Sequence, residues 1–402
     1  MTATGTSAPT HRPATHRPAA PRPAAPRPVA PAARPVITGV GVLSAAGRGL
    51  AALTEAAAHG KAAFTEVARF DVSGRRTTQA ALLPGTVPLA STFPLARAVL
   101  EAIGQAGRQA GLTAAEGAGM PVLLALHSDE RTRATADAVA AGVRAHWGAP
   151  GVTRVYTGAC VAAATAVADA AALVAAGRHE RVLVAAGHLV EPGVFAVFDA
   201  GRALARDGEL RPFSTGRTGT LLGDAAVAVL VESAPAAERR SAPALARLAG
   251  WGRAGDAHHV CRPEPDGAGV ARAIEAALGR AGIAPEQVGY VNANGTGSDL
   301  ADRAEATALR TVFGPHTEQL PVSSSKSVHG HALEASALLE LAVTVGALES
   351  GLTPVNAGWL GPDPDVRLDL VLDGPHTARP DYALTLNSAF GGANTALLLA
   401  AA

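Results

Sequence analysis

Apolar and polar positions recur along the chain in two patterns, one typical of short buried strands and one typical of helices. The run VITGVGVL at 36–43 predicts a strand, and a glycine-containing turn and a helix over about 48–60 follow it. A second helix is predicted over 97–112, where a glycine ends the helical pattern, and a strand over 121–127. Strands and helices in this order are typical of layered α/β proteins whose central sheets are buried.

The same order of elements returns about 170 residues later in the chain. ARAIEAALGRAGI at 271–283 predicts a helix, and VGYVNANGTG at 288–297 predicts the matching strand and polar loop. We therefore expect an α/β fold of two stacked copies of one unit, with a first half at 36–240 and a second half at 241–402.

The first 35 residues differ from the rest of the chain. Residues 10–29 repeat a five-residue Pro/Ala/Arg pattern that has neither an acidic residue nor an apolar run, which predicts a disordered tail with polyproline II character over 1–35. The tail has no apolar segment after its first charges, so it is not a secretory signal. A solubilising extension and a docking segment both remain open as its role.

Composition excludes several classes of protein. Lys plus Arg and Asp plus Glu both number 34, and without the five arginines of the tail the body is about five charges negative, which argues against a nucleic-acid-binding surface. The stretch 158–177 contains Asp169 and is mostly alanine, so it predicts a buried helix rather than a membrane span. Two cysteines, Cys160 and Cys261, make no disulfide framework, so we expect a bacterial cytoplasmic protein.

Candidate chemistry begins at Cys160, in TGACVAAATAVADAAALVAAG at 157–177. The cysteine lies where a polar turn changes into a long Ala/Val helix pattern. A thiol at a helix N-terminus is near backbone N–H groups and the positive end of the helix dipole, which favour a thiolate and later an oxyanion. A buried structural cysteine is the alternative reading of this segment alone.

Three further segments bear on that choice. VNANGTGSDLADRAEATAL at 291–309 and LNSAFGGANTALLL at 386–399 contain glycine-rich loops, which allow a backbone to approach a ligand closely. SSSKSVHGHALEASALLELA at 323–342 contains His331 at the predicted start of an apolar helix, with Lys326 five residues before it and Glu340 nine residues after it.

In this order and spacing, the segments resemble the β-ketoacyl synthases of fatty-acid and type II polyketide biosynthesis, which belong to the thiolase superfamily. The resemblance covers about 36–402 and extends to RPFSTGRTGTLLGDAAVAVLVE at 211–232 and DAHHVCRPEPDGAGV at 256–270. It implies a thiolase-like, five-layer αβαβα fold with internal duplication, usually assembled as a homodimer. A heterodimer with another ketosynthase-like subunit is the second possibility.

The resemblance also implies roles for the matched residues. Cys160 would be the nucleophile that takes an acyl group from a carrier-protein thioester. His331 would support decarboxylation of a malonyl extender and stabilise the enolate oxygen, while Lys326, with Glu340 as its partner, would organise the histidine region.

Four further residues match positions around the substrate. Thr296 and Ser298 would contact the phosphopantetheine arm, and Phe390 would be the gate between the acyl pocket and the second substrate. The N–H groups of Cys160 and Phe390 match the oxyanion hole, and His259 matches a structural histidine.

The chain departs from the family pattern at several positions. Asn294 stands where the family has its first catalytic histidine, and an asparagine donates hydrogen bonds but transfers no proton at neutral pH. Asp224 stands where the family has Glu, and Glu334 where glycine is usual. The loop NSAFGG is one residue shorter than the family's, and the segment at about 70–97 is abbreviated.

Three functions therefore stay open at this point. The first is a synthase that forms carbon–carbon bonds with Cys160, Asn294 and His331, and the second is a non-elongating acyltransferase that uses the same cysteine. The third is a noncatalytic partner subunit of the chain-length-factor type, which usually lacks the cysteine. The expected partner is an acyl carrier protein, whose phosphopantetheine enters with the substrate. No dinucleotide-binding or zinc-ligand spacing occurs in the sequence, so we expect no bound cofactor or metal.

Overall fold

The computed structural model describes residues 1–2, 34–85, 94–376 and 379–402. The predicted tail therefore lies almost entirely outside the described residues, as does part of the abbreviated segment. The helices are α1 Leu50–Ala58, α2 Pro94–Gln109, α3 Ala114–Gly117, α4 Thr132–Trp147, α5 Ala162–Ala175, α6 Pro192–Ala200, α7 Ala234–Arg239, α8 Ala268–Ala281, α9 Asp299–Phe313, α10 Lys326–His329 and α11 Ser336–Ser350. The strands are β1 Pro35–Ser44, β2 Gly47–Arg48, β3 Phe64–Glu66, β4 Gln79–Ala81, β5 Val122–Ala125, β6 Val152–Tyr156, β7 Arg181–His188, β8 Ala225–Ser233, β9 Ala246–Gly255, β10 Val288–Asn292, β11 Pro321–Ser323, β12 Asp369–Leu370, β13 Tyr382–Ala389 and β14 Ala393–Ala400.

Strand order confirms the predicted duplication. The first unit runs β1-β8-β7-β5-β6 across its sheet, and the second runs β9-β14-β13-β10-β11. Each unit thus has five main strands, with the short strands β2–β4 and β12 left out of the count. In both units the first main strand lies beside the fifth, and the fourth, second and third follow in that order. The two sheets join where Val36 and Ile37 of β1 pair with Arg247 and Ala246 of β9. The division at residue 240 falls between α7 and β9 and remains a proposal.

Glycines in the first strand of each unit explain why its helix packs so closely. A Cβ placed on Gly41 of β1 would lie 1.9 Å from the carbonyl oxygen of Ala102 in α2. A Cβ placed on Gly252 of β9 would lie 1.8 Å from the carbonyl oxygen of Ala273 in α8. The same close approach of backbone to backbone is thus built into both halves.

Five layers follow from the packing. Helices α2 and α4 cover the outer face of the first sheet, and α8 and α9 cover the outer face of the second. Helices α5 and α11 fill the layer between the sheets, with Ala, Leu and Val side chains buried on every side. This is the thiolase-like αβαβα arrangement, and it places the N-termini of two buried helices beside each other at the centre.

The helices of the described part of the chain have at most 16 residues, and none of them is long and apolar enough to cross a bilayer. The prediction of a buried helix over 158–177 is confirmed by α5.

Candidate active site

Cys160 lies in a 3-10 turn, Ala159–Val161, that leads directly into α5. Ala159 has a φ of 51°, in the left-handed region that residues with a side chain seldom adopt. The backbone N–H of Cys160 interacts with its own sulfur and stabilises a thiolate. This strained turn at a helix N-terminus holds a 7% exposed thiol next to a backbone donor, as the sequence predicts.

His331 is the histidine that reaches Cys160, with Nε2 3.1 Å from Sγ. Its backbone is fixed by two hydrogen bonds to the segment before β8: His331 N–H donates to the Leu221 carbonyl at 2.7 Å, and Gly223 N–H donates to the His331 carbonyl at 3.0 Å. The predicted helix start at His331 is wrong by five residues, because this bridge holds His331 extended and a 3-10 turn, Leu333–Ala335, precedes α11, which begins at Ser336.

The other ring nitrogen of His331 is also bonded. Nδ1 lies 2.8 Å from Ser336 Oγ, and Ser336 Oγ accepts the N–H of Ala332 at 2.9 Å. Ser336 therefore fixes the ring plane of His331 from the first turn of α11. The sequence gives no separate signal for this serine.

His329, the other histidine of the HGH segment, does not face Cys160. Its Nδ1 lies 2.8 Å from the Gly330 carbonyl and its Nε2 lies 3.1 Å from Ser325 Oγ. Burial lowers the pKa of His329 to about 3, so the ring is neutral. We assign it a structural role in the loop before His331.

Asn294, Lys326 and Glu340 form a buried chain of contacts. Lys326 Nζ donates to Asn294 Oδ1 at 3.1 Å and lies 2.6 Å from Glu340 Oε1. Glu340 Oε2 in turn accepts from the side-chain amide of Asn387 at 2.5 Å. Lys326 and Glu340 have no exposed surface. The partnership between these two residues that the resemblance implies is therefore present in the structure.

Two carboxylates of α9 hold the loop that contains Asn294. Glu305 accepts the N–H groups of Asn294 and Gly295 at 2.7 and 2.8 Å, and Asp302 accepts the N–H of Thr296 at 3.0 Å. Sequence reasoning missed both. The signal was available, because two acidic residues three apart on the first turns of a helix face the loop that precedes it.

Burial sets the charge state of the nucleophile and its neighbour. Burial, followed by the Glu334 carboxylate, raises the pKa of the Cys160 thiol to about 12. Burial, followed by Lys326, holds the pKa of His331 well below its usual value of 6.5. At neutral pH the site is therefore a neutral thiol beside a neutral imidazole, and His331 is available as a proton acceptor when the thiol attacks.

Glu334 lies beside this pair, in the 3-10 turn Leu333–Ala335. Its Oε1 is 2.9 Å from His127 Nδ1, and its Oε2 is 3.9 Å from His188 Nδ1. Glu334 and His188 are buried, whereas the His127 side chain is 39% exposed. The sequence marks Glu334 as unusual, but nothing in it indicates that two histidines from β7 and the loop after β5 surround it.

Asp224, another departure from the family pattern, has a complete set of partners. It binds the Arg69 guanidinium through both oxygens, at 3.1 and 2.6 Å, and accepts the N–H groups of Leu83 and Val190. Asp224, directly before the first residue of β8, therefore ties together the segments that contain Arg69, Leu83 and Val190.

The four remaining predicted residues, the rim residues, lie in loops and turns outside the buried contacts of Cys160 and Lys326. Thr296 and Ser298 are half-buried on the loop before α9. Phe390, 57% exposed, lies on the turn between β13 and β14 with its ring 6.0 Å from that of Phe198. His259 accepts backbone N–H groups of Cys261 and Arg262 through Nδ1, and in the same loop the Val260 carbonyl accepts the N–H of Gly391. The structure thus pairs Cys160 with His331 and joins Asn294, Lys326 and Glu340, and among the described residues no hydrogen bond links the four rim residues to either group.

The chain matches two family models, one on each side of residue 240. Residues 88–237 match the β-ketoacyl synthase N-terminal domain, and residues 245–359 match the β-ketoacyl synthase C-terminal domain. The matched segments together cover well over half of the chain.

Individual relatives and solved structures are also similar to this chain. Nodulation protein E of Rhizobium meliloti is 38% identical over 60% of this chain and 60% of its own length. 3-Oxoacyl-[acyl-carrier-protein] synthase 2 of Coxiella burnetii is 39% identical over 47% of this chain and 46% of its own length. Among solved structures, the ishigamide ketosynthase/chain length factor superposes with a TM-score of 0.84 at 28% identity, over 92% of this chain and 99% of that one.

The fold and the arrangement around Cys160 define a thiolase-like protein with a cysteine at the N-terminus of a buried central helix. Together with the two domain matches, they show that the chain belongs to the β-ketoacyl synthase family. The aligned regions span about half to 60% of the length of the curated relatives.

Proposed function

We propose that this protein is a β-ketoacyl synthase that is acylated on Cys160 and condenses the acyl group with a malonyl-carrier thioester. The observation that carries the proposal is the 3.1 Å distance from Cys160 Sγ to His331 Nε2, in a site where Lys326 holds the side chain of Asn294. A buried structural cysteine has no need of an imidazole at this distance that is itself positioned by a serine.

The first half-reaction transfers the acyl group to the enzyme. Cys160 attacks the carbonyl carbon of the carrier thioester, its proton moves to His331 Nε2, and the carrier leaves as a thiol after taking a proton. The tetrahedral oxyanion accepts hydrogen bonds from the N–H groups of Cys160 and Phe390. A neutral His331 is needed for this step, and its lowered pKa supplies one.

The second half-reaction forms the carbon–carbon bond. The malonyl-carrier thioester loses CO2, and its thioester oxygen becomes an enolate that accepts hydrogen bonds from Asn294 Nδ2 and from His331 Nε2, in the neutral tautomer whose single proton is on Nε2. The enolate carbon attacks the acyl carbonyl, the bond to Sγ breaks, and Cys160 leaves as a thiolate that takes up a proton. The products are CO2 and a β-ketoacyl-carrier thioester.

The carrier is an acyl carrier protein, in keeping with the name of the Coxiella burnetii relative. Its phosphopantetheine arm reaches Cys160 past Thr296 and Ser298, and Phe390 gates the entrance. We assign the protein to the bacterial cytoplasm, where such carriers and reduced thiols are found.

Assembly as a dimer is part of the proposal. Among the described residues, strand β6 pairs with β5 alone and forms one edge of the sheet, and its residues 153–155 are exposed. Such an edge offers unpaired N–H and C=O groups to a second strand. The ishigamide structure pairs a ketosynthase with a chain length factor, so a heterodimer is the second form of this assembly.

An acyltransferase that does not elongate is the second candidate. It is favoured by Asn294, which supplies a hydrogen bond but no proton or positive charge to a developing enolate. A noncatalytic partner subunit ranks third because Cys160 and its imidazole are both in place.

Intact-protein mass spectrometry of wild type and Cys160→Ala tests the proposal. Each protein is incubated with an acyl-carrier thioester and then with a malonyl-carrier thioester. Acylation of wild type only, followed by CO2 release and a product two carbons longer, supports the synthase. Acylation without loss of CO2 supports the acyltransferase, and no acylation supports the partner subunit.

A further inference from the structure

We infer that His127, His188 and Glu334, the polar cluster beside Cys160, select an acyl group that carries a hydrogen-bond donor, an amine or a hydroxyl, over an unsubstituted acyl chain. The inference rests on the proposed acylation of Cys160. It names a class of substrate and assigns a specificity-determining role to Glu334.

The cluster adjoins the nucleophile. Leu333 packs in the same apolar group as Cys160, and the turn that contains Leu333 and Glu334 packs against the turn of Cys160. The Glu334 carboxylate is near enough to Sγ to disfavour the thiolate. An acyl group bonded to Sγ therefore starts next to the turn that carries this carboxylate.

Two buried atoms of the cluster make no hydrogen bond among the described residues. Glu334 Oε2 is 3.9 Å from its nearest histidine nitrogen, His188 Nδ1, which is too long for a hydrogen bond, and His188 Nε2 has no hydrogen-bond partner among the described residues. Glu334 is 2% and His188 3% exposed. Buried polar atoms of native proteins nearly always have a partner, so these two atoms indicate a ligand that supplies one.

The missing partner of Glu334 is a donor. A carboxylate only accepts hydrogen bonds, and in the tautomer that turns Nδ1–H toward Glu334 the Nε2 atom of His188 is an acceptor too. Burial lowers the pKa of His188 to about 3, so the ring is neutral and offers one donor only. An alkyl chain leaves both acceptors unsatisfied, whereas an ammonium group has donors for both and a hydroxyl group has a donor for one of them.

The neighbouring arginines are paired with carboxylates other than Glu334. Arg69 is paired with Asp224, and Arg131 is paired with Asp129 and Glu191. In the part of the chain that the structure describes, the histidines His127 and His188 are the side chains near the Glu334 carboxylate, and it forms no ion pair with Lys or Arg. A positively charged amine therefore has an unneutralised carboxylate to meet.

The test uses the full chain and acyl thioesters of N-acetylcysteamine that match in shape. The short set is butyryl, 3-hydroxypropionyl and 3-aminopropionyl, and the long pair is heptanoyl and 6-aminohexanoyl. Rates of Cys160 acylation are measured by intact-protein mass spectrometry, and the readout is the ratio of the rate for a donor-bearing acyl group to that for its alkyl match.

We expect wild type to favour a donor-bearing acyl group by about tenfold to a hundredfold, the range of a hydrogen bond to a charged group. Glu334→Gln should lower the ratio for the amines more than the ratio for the hydroxyl, and Glu334→Gly should bring every ratio close to one. Glu232→Gln, at the opposite end of β8 from the cluster, is the matched buried-carboxylate control and should keep the wild-type ratios.

Ratios near one in wild type, or ratios that Glu334→Gly leaves unchanged, overturn the inference while the proposed function stands. A Glu334 variant that slows every thioester alike, as a purely structural residue would, overturns it as well. Failure of wild type to be acylated by any thioester overturns the proposed function, and the inference with it.

Discussion

Lys326 donates a hydrogen bond to Oδ1 of Asn294 at 3.1 Å, and this contact decides which way the amide of Asn294 faces. The oxygen and nitrogen of an asparagine side chain are otherwise assigned only from their neighbours. Because Lys326 is a donor without an acceptor, the oxygen must face it, and the NH2 group is left to face a substrate. Asn294 is thus a fixed hydrogen-bond donor at the position that the sequence resemblance matches to the family's first catalytic histidine.

The first prediction concerns this donor. Asn294→Ala and Asn294→Asp both remove the NH2 group, and Asn294→Asp keeps the side-chain shape and the contact with Lys326. We expect both variants to slow malonyl decarboxylation about 30- to 1000-fold, equivalent to about 2–4 kcal/mol of lost transition-state stabilisation. Release of CO2 from a malonyl thioester measures this rate. Acylation of Cys160, which does not use Asn294, is the internal control, and an equal loss in both half-reactions would contradict the assigned role.

Much of the fold could be predicted from sequence because the pattern is repeated. The apolar periodicity of α2 and α8, each followed by a short strand, indicated duplication, and the strand order shows it. The prediction of a buried helix after Cys160 succeeded because a helix of Ala and Val on all sides is suited only to an interior layer.

The site could be predicted only where a residue type stands out. Cysteine and lysine are rare residue types in this Ala-rich chain, so the sequence drew attention to Cys160 and Lys326, and His331 follows five residues after Lys326. Ser336 and Glu305 are common types whose roles arise from distance alone: one reaches His331 and the other reaches the backbone of Asn294. Long-range contacts of this kind leave no local pattern in a single sequence.

A second prediction follows from the pKa of Cys160. Because burial and Glu334 raise this pKa to about 12, the thiol of the free enzyme is protonated at neutral pH. Alkylation by iodoacetamide should therefore be slow at pH 7 and should rise continuously to pH 10 without a plateau. Glu334→Gln removes the neighbouring negative charge and should raise the alkylation rate at each pH. A plateau near pH 7 would mean that Cys160 and His331 form a thiolate–imidazolium pair, contrary to the charges assigned here.

The third prediction concerns Glu305 and stability. Burial raises the pKa of Glu305 to about 7, from 4.5 for a free side chain, so the folded protein holds a proton there that the unfolded chain releases. The proton on Glu305 therefore contributes its full stabilisation to the free energy of unfolding below pH 4.5. This contribution falls as the pH rises to about 7, and above that pH the free energy changes no further on account of Glu305. Relative to Glu305→Gln, wild type should lose about 3 kcal/mol of unfolding free energy over this range. Urea unfolding of both proteins at matched pH values measures the difference, and parallel pH profiles would contradict a raised pKa.

The last prediction separates the structural and functional parts of the buried pair Lys326–Glu340. Lys326→Met leaves the carboxylate of Glu340 in the core without its cation, and we expect this to cost about 3–5 kcal/mol of unfolding free energy. Adding Glu340→Leu to Lys326→Met removes the orphaned charge, so the double variant should regain most of that stability while Asn294 still lacks the donor that fixes its amide. Urea unfolding and malonyl decarboxylation are therefore measured on the same three proteins. Stability that returns in the double variant while decarboxylation stays low assigns Lys326 to positioning Asn294. If decarboxylation returned together with stability, the pair would serve folding alone.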